Sequence, residues 1–387
     1  MNARAYLDWN ATAPLRPQAR AVMTETLGLA GNPSSVHAEG RAARVAVERA
    51  RAQVAQLVGA DAGQVTFTSG GTEANMMALS PAWSAGKLNT GFERLLVSAI
   101  EHPSVRQGGR FPADRVETLP VTAQGVVDLD ALKARLQTGG PALVSVMLAN
   151  NETGVIQPIR AIADLIHASD GLLHVDAVQG PGRIPCDINA LGADLLTISG
   201  HKLGGPKGTG ALVRHERLHL SDPLIRGGGQ ERGLRAGTED VAAIAGFGAA
   251  AEAAAAARKT DAAGMSRLQE RLEAGIRAAT PEAIIFGQDA ARLPNTTLFT
   301  HSGLKAETAV IAFDLGGVAV SSGSACSSGK VQPSHVLAAM GVEAGLARGA
   351  IRISTGYATG EAQIDHCLKA WIKLSETLLK GRTIIAA

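Results

Sequence analysis

Cysteine is scarce in this sequence: Cys186, Cys326 and Cys367 are the only three among 387 residues. Thiols so few and so scattered cannot build a disulfide framework, and no CxxC pair offers a zinc site, so the chain reads as one suited to a reducing compartment. An excess of charge of one sign is missing too. Lysine and arginine number 37 against 35 acidic residues, and no block of like charges occurs, which argues against a nucleic-acid partner. Long apolar runs are also absent. No stretch reaches the roughly 18 consecutive apolar residues of a membrane span, and the opening MNARAYLDWN lacks the apolar core of a signal peptide. These absences favour a cytoplasmic protein without a membrane partner. The most apolar segment, VAAIAGFGAAAEAAAAARK from Val241, is rich in alanine and ends in charge, as a packed helix does.

With 45% hydrophobic and 19% charged residues, the sequence can bury a sizeable core. Its length exceeds the roughly 250 to 300 residues at which single cores stop growing, so two domains are expected. Short apolar runs fit buried strands: VTFTS at 65, RLLVSAI at 94, ALVSVMLAN at 142, LLHVDAV at 172, LLTIS at 195 and GALVRH at 210. Helical patterns lie between them, as in IRAIADLIHASDG, where Ile162, Leu165 and Ile166 share a face. Strand and helix alternating in this way predict an α/β domain with a mostly parallel sheet wrapped by helices. Beyond the alanine-rich helix, AIIFGQ, NTTLFT and GVAVSSG followed by two helical patterns predict a smaller α+β domain. The expected division is 13–258 for the large domain, with 1–12 and 259–387 forming the small one.

Of the three thiols, Cys326 stands apart. It sits in SSGSACSSGK, among serines and glycines with almost nothing apolar to bury it, whereas Cys186 in GRIPCDIN and Cys367 in IDHCLKAW lie in apolar patterns that suggest packing. An accessible thiol able to lose its proton is a candidate nucleophile.

Four further features point to one kind of ligand. TISGHKLGGPKGTGAL carries Lys202 just past a strand's carboxyl end, where open α/β sheets bind ligands. HVDAVQ places Asp176 in an apolar run, a costly position unless a cation meets it. FTSGGTEAN passes from a strand through Gly70, Gly71 and Thr72 into a helix, whose free N–H groups suit a phosphate. AIEHPSV sets His102 at another strand's end, where an imidazole could stack on a flat ring or move protons. Each is weak alone. Together they supply a Schiff-base amine, a partner for a pyridinium nitrogen, an anion site and a ring clamp, which is what pyridoxal phosphate requires.

The ordered motifs NPSSVH, FTSGGTEAN, EHPSV, NNETG, HVDAVQ, SGHKLGGPKGTGAL, GGGQERGLRAGTED and SSGSACSS resemble those of cysteine desulfurases of the NifS/IscS type, in the class V aminotransferase family. The resemblance runs from about Tyr6 to Tyr357 and is close to the branch with a long cysteine loop, here about 321–333. It implies fold type I, with a seven-stranded sheet in the large domain. It also implies pyridoxal 5'-phosphate as cofactor, with Lys202 as the Schiff-base lysine, Asp176 at the pyridine nitrogen and His102 over the ring. Asn151 and Gln179 would lie near the phenolic oxygen, and Gly71, Thr72, Ser199 and His201 at the phosphate. Arg352 of IRIS would anchor the substrate carboxylate, with Asn32 nearby. Thr238 would reach the phosphate in a neighbouring subunit, implying a homodimer.

The implied reaction takes sulfur from L-cysteine, leaving alanine and a persulfide on Cys326, with His102 or the substrate amine accepting the thiol proton. The sulfur would pass to an acceptor or iron–sulfur scaffold protein. No resident metal site is expected, although Cys326 is a candidate ligand for a nascent iron–sulfur cluster. Trp9 and Met76 depart from the family's usual asparagines, and KGRTIIAA lacks the tail with which housekeeping members dock their scaffold. Two other readings fit less of the sequence. A selenocysteine lyase or other class V enzyme would not need Cys326, and a non-catalytic scaffold would be expected to have lost Lys202 or Asp176.

Overall fold

The computed structural model describes residues 4–85, 91–323 and 334–378. Cys326 and the chain beyond residue 378 lie outside them.

The six expected strands form, as β1 (Val65–Thr68), β2 (Leu95–Ser98), β4 (Leu143–Met147), β5 (Leu172–Asp176), β6 (Leu195–Ser199) and β7 (Gly210–Arg214). A seventh, β3 (Val116–Leu119), completes a sheet ordered β1-β7-β6-β5-β4-β2-β3, so the large-domain sheet has the expected seven strands. Only β7 runs against the rest, pairing antiparallel with β1 and β6. The middle strands β4, β5 and β6 are buried along their whole length. That burial explains why they read as unbroken apolar runs instead of alternating patterns. One polar residue inside them is satisfied in place: His174 bonds Ser145 Oγ at 2.8 Å and Thr197 Oγ1 at 3.0 Å. Burial pushes its imidazole down to about 3, so it stays neutral and braces three adjacent strands.

Helices α1 (Pro17–Thr26), α2 (Ala38–Leu57), α3 (Gly71–Ala78), α4 (Pro103–Arg106), α5 (Ile159–His167) and α6 (Val241–Ala279) surround or extend from this sheet. The alanine-rich helix α6 packs on α1 and α2. A Cβ on its Gly248 would lie 2.5 Å from Ala50 Cα, so glycine there permits the close approach. Phe247, Ala250 and Ala254 of α6 join the core of the large domain. Further along, Leu268, Leu272 and Ile276 join a second core with Phe299, Phe313 and Trp371. One continuous helix therefore serves both. It is also the one helix among the described residues long and apolar enough to cross a bilayer by length and composition, and its buried face is spent on these two cores.

The second core is covered by a four-stranded antiparallel sheet of β8 (Ile284–Ile285), β9 (Thr296–Thr300), β10 (Ser321–Ser322) and β11 (Ile351–Ser354), together with α7 (Ala306–Leu315) and α8 (Glu361–Leu378). The N-terminal segment belongs here as well. Ala5–Tyr6 pairs with Val318–Ala319, and Ala5 and Leu7 enter the same core. Cys186 and Cys367 are buried in the two cores, and burial pushes both thiols up to about 12, as packing cysteines should be.

Candidate active site

The carboxyl ends of β1, β2, β4, β5 and β6 open on a single cavity of about 250 Å³, closed on its far side by Arg352 of β11 and by Asn10 and Ala11 of the N-terminal segment. Lys202 lies just past β6, with its amine donating to the carbonyls of Asn10 and Ala11 at 2.6 and 2.8 Å. Asp176 closes β5. Its Oδ1 accepts from Val178 N at 3.0 Å and its Oδ2 from Asn75 Nδ2 at 2.9 Å. A buried carboxylate whose donors among the described residues are neutral has capacity left for a cation, as a protonated pyridine nitrogen is.

At the other end, α3 begins against the cavity with Gly71 and Thr72 beside Ser199 and His201. A Cβ on Gly210 would sit 2.5 Å from the Gly70 carbonyl carbon, so glycine in β7 lets this helix start close to the sheet. His201 contacts Thr12 Oγ1 at 3.2 Å, and burial, reinforced by Lys202 and Lys207, pushes its imidazole down to about 4. It remains a neutral hydrogen-bonding group there. The cavity thus offers an acceptor-only carboxylate, an amine and a helix N-terminus with hydroxyl groups, and pyridoxal phosphate fits this donor set.

His102 caps α4 and lines the cavity, with Ser104 Oγ 2.8 Å from its Nδ1. Burial pulls its imidazole below the ordinary range; Asp176 opposes that shift and Lys202 adds to it. Arg352 is almost wholly buried, donating to Asp8 Oδ1 at 2.7 Å and to Asn151 O at 3.0 Å. Gln179 lines the cavity and donates to Asn10 O at 3.1 Å.

A family model for class V aminotransferases matches residues 5–367. A cysteine desulfurase from Cereibacter sphaeroides is 42% identical over 376 residues, covering 95% of this chain and 94% of the relative. Among solved structures, a NifS-like protein from Rickettsia africae superposes with a TM-score of 0.87 at 36% identity, covering 96% of this chain and 99% of that one. SspA, solved in complex with cysteine, superposes with a TM-score of 0.73 at 30% identity, covering 90% and 98%.

The chain belongs to the class V aminotransferase family, among its cysteine desulfurases. As a desulfurase it uses pyridoxal phosphate and takes L-cysteine as substrate.

The structure brings together at this desulfurase cavity Gly71, Thr72, His102, Asn151, Asp176, Gln179, Ser199, His201, Lys202 and Arg352. It does not bring Asn32 or Thr238 there. Asn32 is exposed, with its side-chain oxygen accepting from Ser34 N at 2.9 Å, and Thr238 is exposed on the surface. Cys326 falls outside the described residues. Among the described residues no cluster of His, Cys, Asp and Glu is arranged to hold a metal ion.

Sequence reading missed several residues that build the site. Asn10 is buried and receives Lys202 and Gln179 on its carbonyl, while its own amide donates to Asn151 O and Thr296 Oγ1. Asp8 holds Arg352. Arg183, also buried, donates to the backbone and side-chain oxygens of Gln179. The short motif LDWNAT carried the signal for Asp8 and Asn10, since polar residues beside an apolar start are unusual in a buried strand. Its Trp9 packs edge-on to Tyr357, with ring centroids 4.9 Å apart.

Proposed function

We propose that this desulfurase transfers sulfur through Cys326, using Lys202 as the amine that holds the cofactor and moves the substrate's Cα proton. Bound between Asp176 and the start of α3, pyridoxal phosphate supplies an electron sink for the substrate carbons. Asp176 would hold the ring nitrogen's proton. Thr72, Ser199, His201 and the N–H groups at Gly71 would hold the phosphate. Arg352 would take the substrate carboxylate, for which a guanidinium's paired donors are suited.

In the sulfur step, the Cys326 thiolate attacks the substrate sulfur. A sulfur–sulfur bond forms, the substrate's carbon–sulfur bond breaks, and its electron pair stays with the carbon fragment, which takes up a proton and leaves as alanine. The persulfide then passes its outer sulfur to an acceptor thiol or an iron–sulfur scaffold protein.

The observation that carries this reading is the convergence of Lys202, Asp176 and Arg352, each in or just past one of three separate strands, on one cavity. The cytoplasm suits a chain whose described cysteines are both unpaired and buried. A homodimer would bring Thr238 of a second copy to the phosphate; its exposure on this chain, away from the cavity, supports that use. We further propose the domain division at 258, which falls between Ala254 and Leu268 of α6, where its buried residues pass from one core to the other.

Mass spectrometry after incubation with L-cysteine tests the central step. The expected result is one added sulfur on the peptide containing Cys326, and none on those containing Cys186 or Cys367. Cys326→Ala should keep the visible cofactor absorption and lose sulfide release. Full turnover in that variant would overturn the reading.

A further inference from the structure

Asn75 and Ser104 link the two groups of the cavity that bear most directly on proton placement. Asp176 Oδ2 accepts from Asn75 Nδ2 at 2.9 Å, and the same amide nitrogen donates its second hydrogen to Ser104 Oγ at 2.9 Å. The amide cannot turn over. Doing so would set its oxygen against the carboxylate oxygen, two acceptors with no proton between them. This fixed orientation comes at a cost, since Asn75 Oδ1 is buried without a partner among the described residues.

One lone pair of Ser104 Oγ takes the Asn75 hydrogen, the hydroxyl keeps its own proton to give, and His102 Nδ1 lies 2.8 Å away. The backbone points the same way, with a longer contact. Ser104 N–H donates to His102 Nδ1 at 3.2 Å, because His102 caps α4 and its ring nitrogen stands where a capping oxygen normally would. Two donors converge on Nδ1, so that nitrogen carries no proton. In the neutral imidazole the proton must therefore sit on Nε2.

We propose that Ser104 and Asn75 are positioning residues that lock His102 in the Nε2–H tautomer, so that His102 offers the reaction a hydrogen-bond donor and not a basic lone pair. The hydrogen-bond chain runs from Asp176 through the Asn75 amide and the Ser104 hydroxyl to the imidazole, and the Ser104 backbone N–H, a donor that can only give, favours the same tautomer. Its consequence differs from the expectation that His102 could accept the thiol proton. A neutral imidazole whose Nδ1 lone pair is engaged by Ser104 has no lone pair at Nε2 to receive one. The substrate amine is then the remaining acceptor of the two considered, and Nε2–H is available to an electron-rich atom of the bound substrate or cofactor.

The catalytic consequence rests on the desulfurase reading, but the tautomer does not, so the two can fail separately. The test is nitrogen NMR of the cofactor-loaded protein carrying ¹⁵N-histidine, recorded without cysteine. Ten histidines contribute signals, and loss of one pair in His102→Gln assigns those of His102. The expected spectrum has an unprotonated Nδ1 and a protonated Nε2. Ser104→Ala removes the hydroxyl and should bring the second tautomer into exchange, with kcat falling roughly tenfold and KM for cysteine little changed. Ser104→Thr keeps the hydroxyl and should restore both readouts. A protonated Nδ1 in the unaltered protein would overturn the proposal. So would a Ser104→Ala variant whose His102 signals and kcat match those of the unaltered protein. The expected tautomer in a protein that releases no sulfide would support the lock and count against the desulfurase reading alone.

Discussion

The two walls of the cavity are built in different ways. On the sheet side, Asp176, Ser199 and Lys202 each stand at or just past the end of a buried strand, held by that strand's own pairing. On the far side, Arg352, Asp8 and Asn10 are held by bonds between distant parts of the chain: Arg352 to Asp8 and Asn151, and Asn10 to Thr296 and to Ser354. The sheet wall inherits its geometry from secondary structure. The far wall exists only once the N-terminal segment has threaded between the large domain and β11. Chemistry centred on the cofactor should therefore depend on the first wall, and retention of the substrate and cohesion of the two domains on the second.

Lys202→Ala strikes the first wall and should have the largest effect. Turnover is expected to fall by roughly three orders of magnitude or more, with the visible absorption of the loaded protein altered or lost. If the absorption were unchanged, the division of labour between the walls would be wrong. Arg352→Lys strikes the second wall. It keeps the charge and loses the planar pair of donors, so kcat/KM for cysteine should fall roughly 100-fold, mainly through KM, while the absorption stays. A loss confined to kcat would break the comparison.

Trp9→Ala removes packing that holds the N-terminal segment against Tyr357 and Gly356. The space is tight enough that a Cβ on Gly356 would lie 2.0 Å from the indole. Loss of a buried tryptophan should cost about 3 kcal/mol of stability, read by denaturant unfolding. An unchanged midpoint would mean that this segment contributes nothing to cohesion.

An effect that is absent at low pH is expected behind the sheet wall, at Glu101. One carboxyl oxygen accepts from Ser98 Oγ and Met147 N, both at 2.6 Å, and the other is buried without a partner among the described residues. Burial pushes the group up to about 8 from its ordinary 4.5, with the hydroxyl of Ser98 opposing and the charge of Asp176 adding to the shift. The native state is thus credited with the neutral acid at low pH and loses stability as pH rises from the ordinary carboxylate range through about 8, where the unfolded chain is already ionised. Glu101→Gln should remove that slope. Its Tm should match the unaltered protein near pH 4 and exceed it above pH 8; parallel curves across this range would show that the buried acid carries no such penalty.

Much of the sheet wall was legible before folding. The runs ending at Asp176 and Ser199 announced buried strands, and a lysine or carboxylate at such an end stands out against the apolar background. β3 was not legible: Val116–Leu119 is an edge strand carrying Glu117 and Thr118, too short and mixed to stand out. Asn75 and Ser104 were hidden for another reason. Each looks like an ordinary polar residue of a short helix, and only the approach of α3 to α4 makes them partners. Asp8 and Asn10 lay in a visible motif, but nothing local said that they would meet Arg352 and Lys202.

The sequence by itself determined the α/β alternation, the placement at strand ends of the groups proposed to bind the cofactor and the motif order of a desulfurase. Those follow from local patterns, because a buried strand and the turn beyond it are encoded in a few adjacent residues. Tertiary structure alone decided the far wall, the sharing of α6 between two cores and the hydrogen-bond chain from Asp176 to His102. These depend on distances between residues far apart in the chain, which spacing along a sequence does not specify and which close packing of the folded chain fixes.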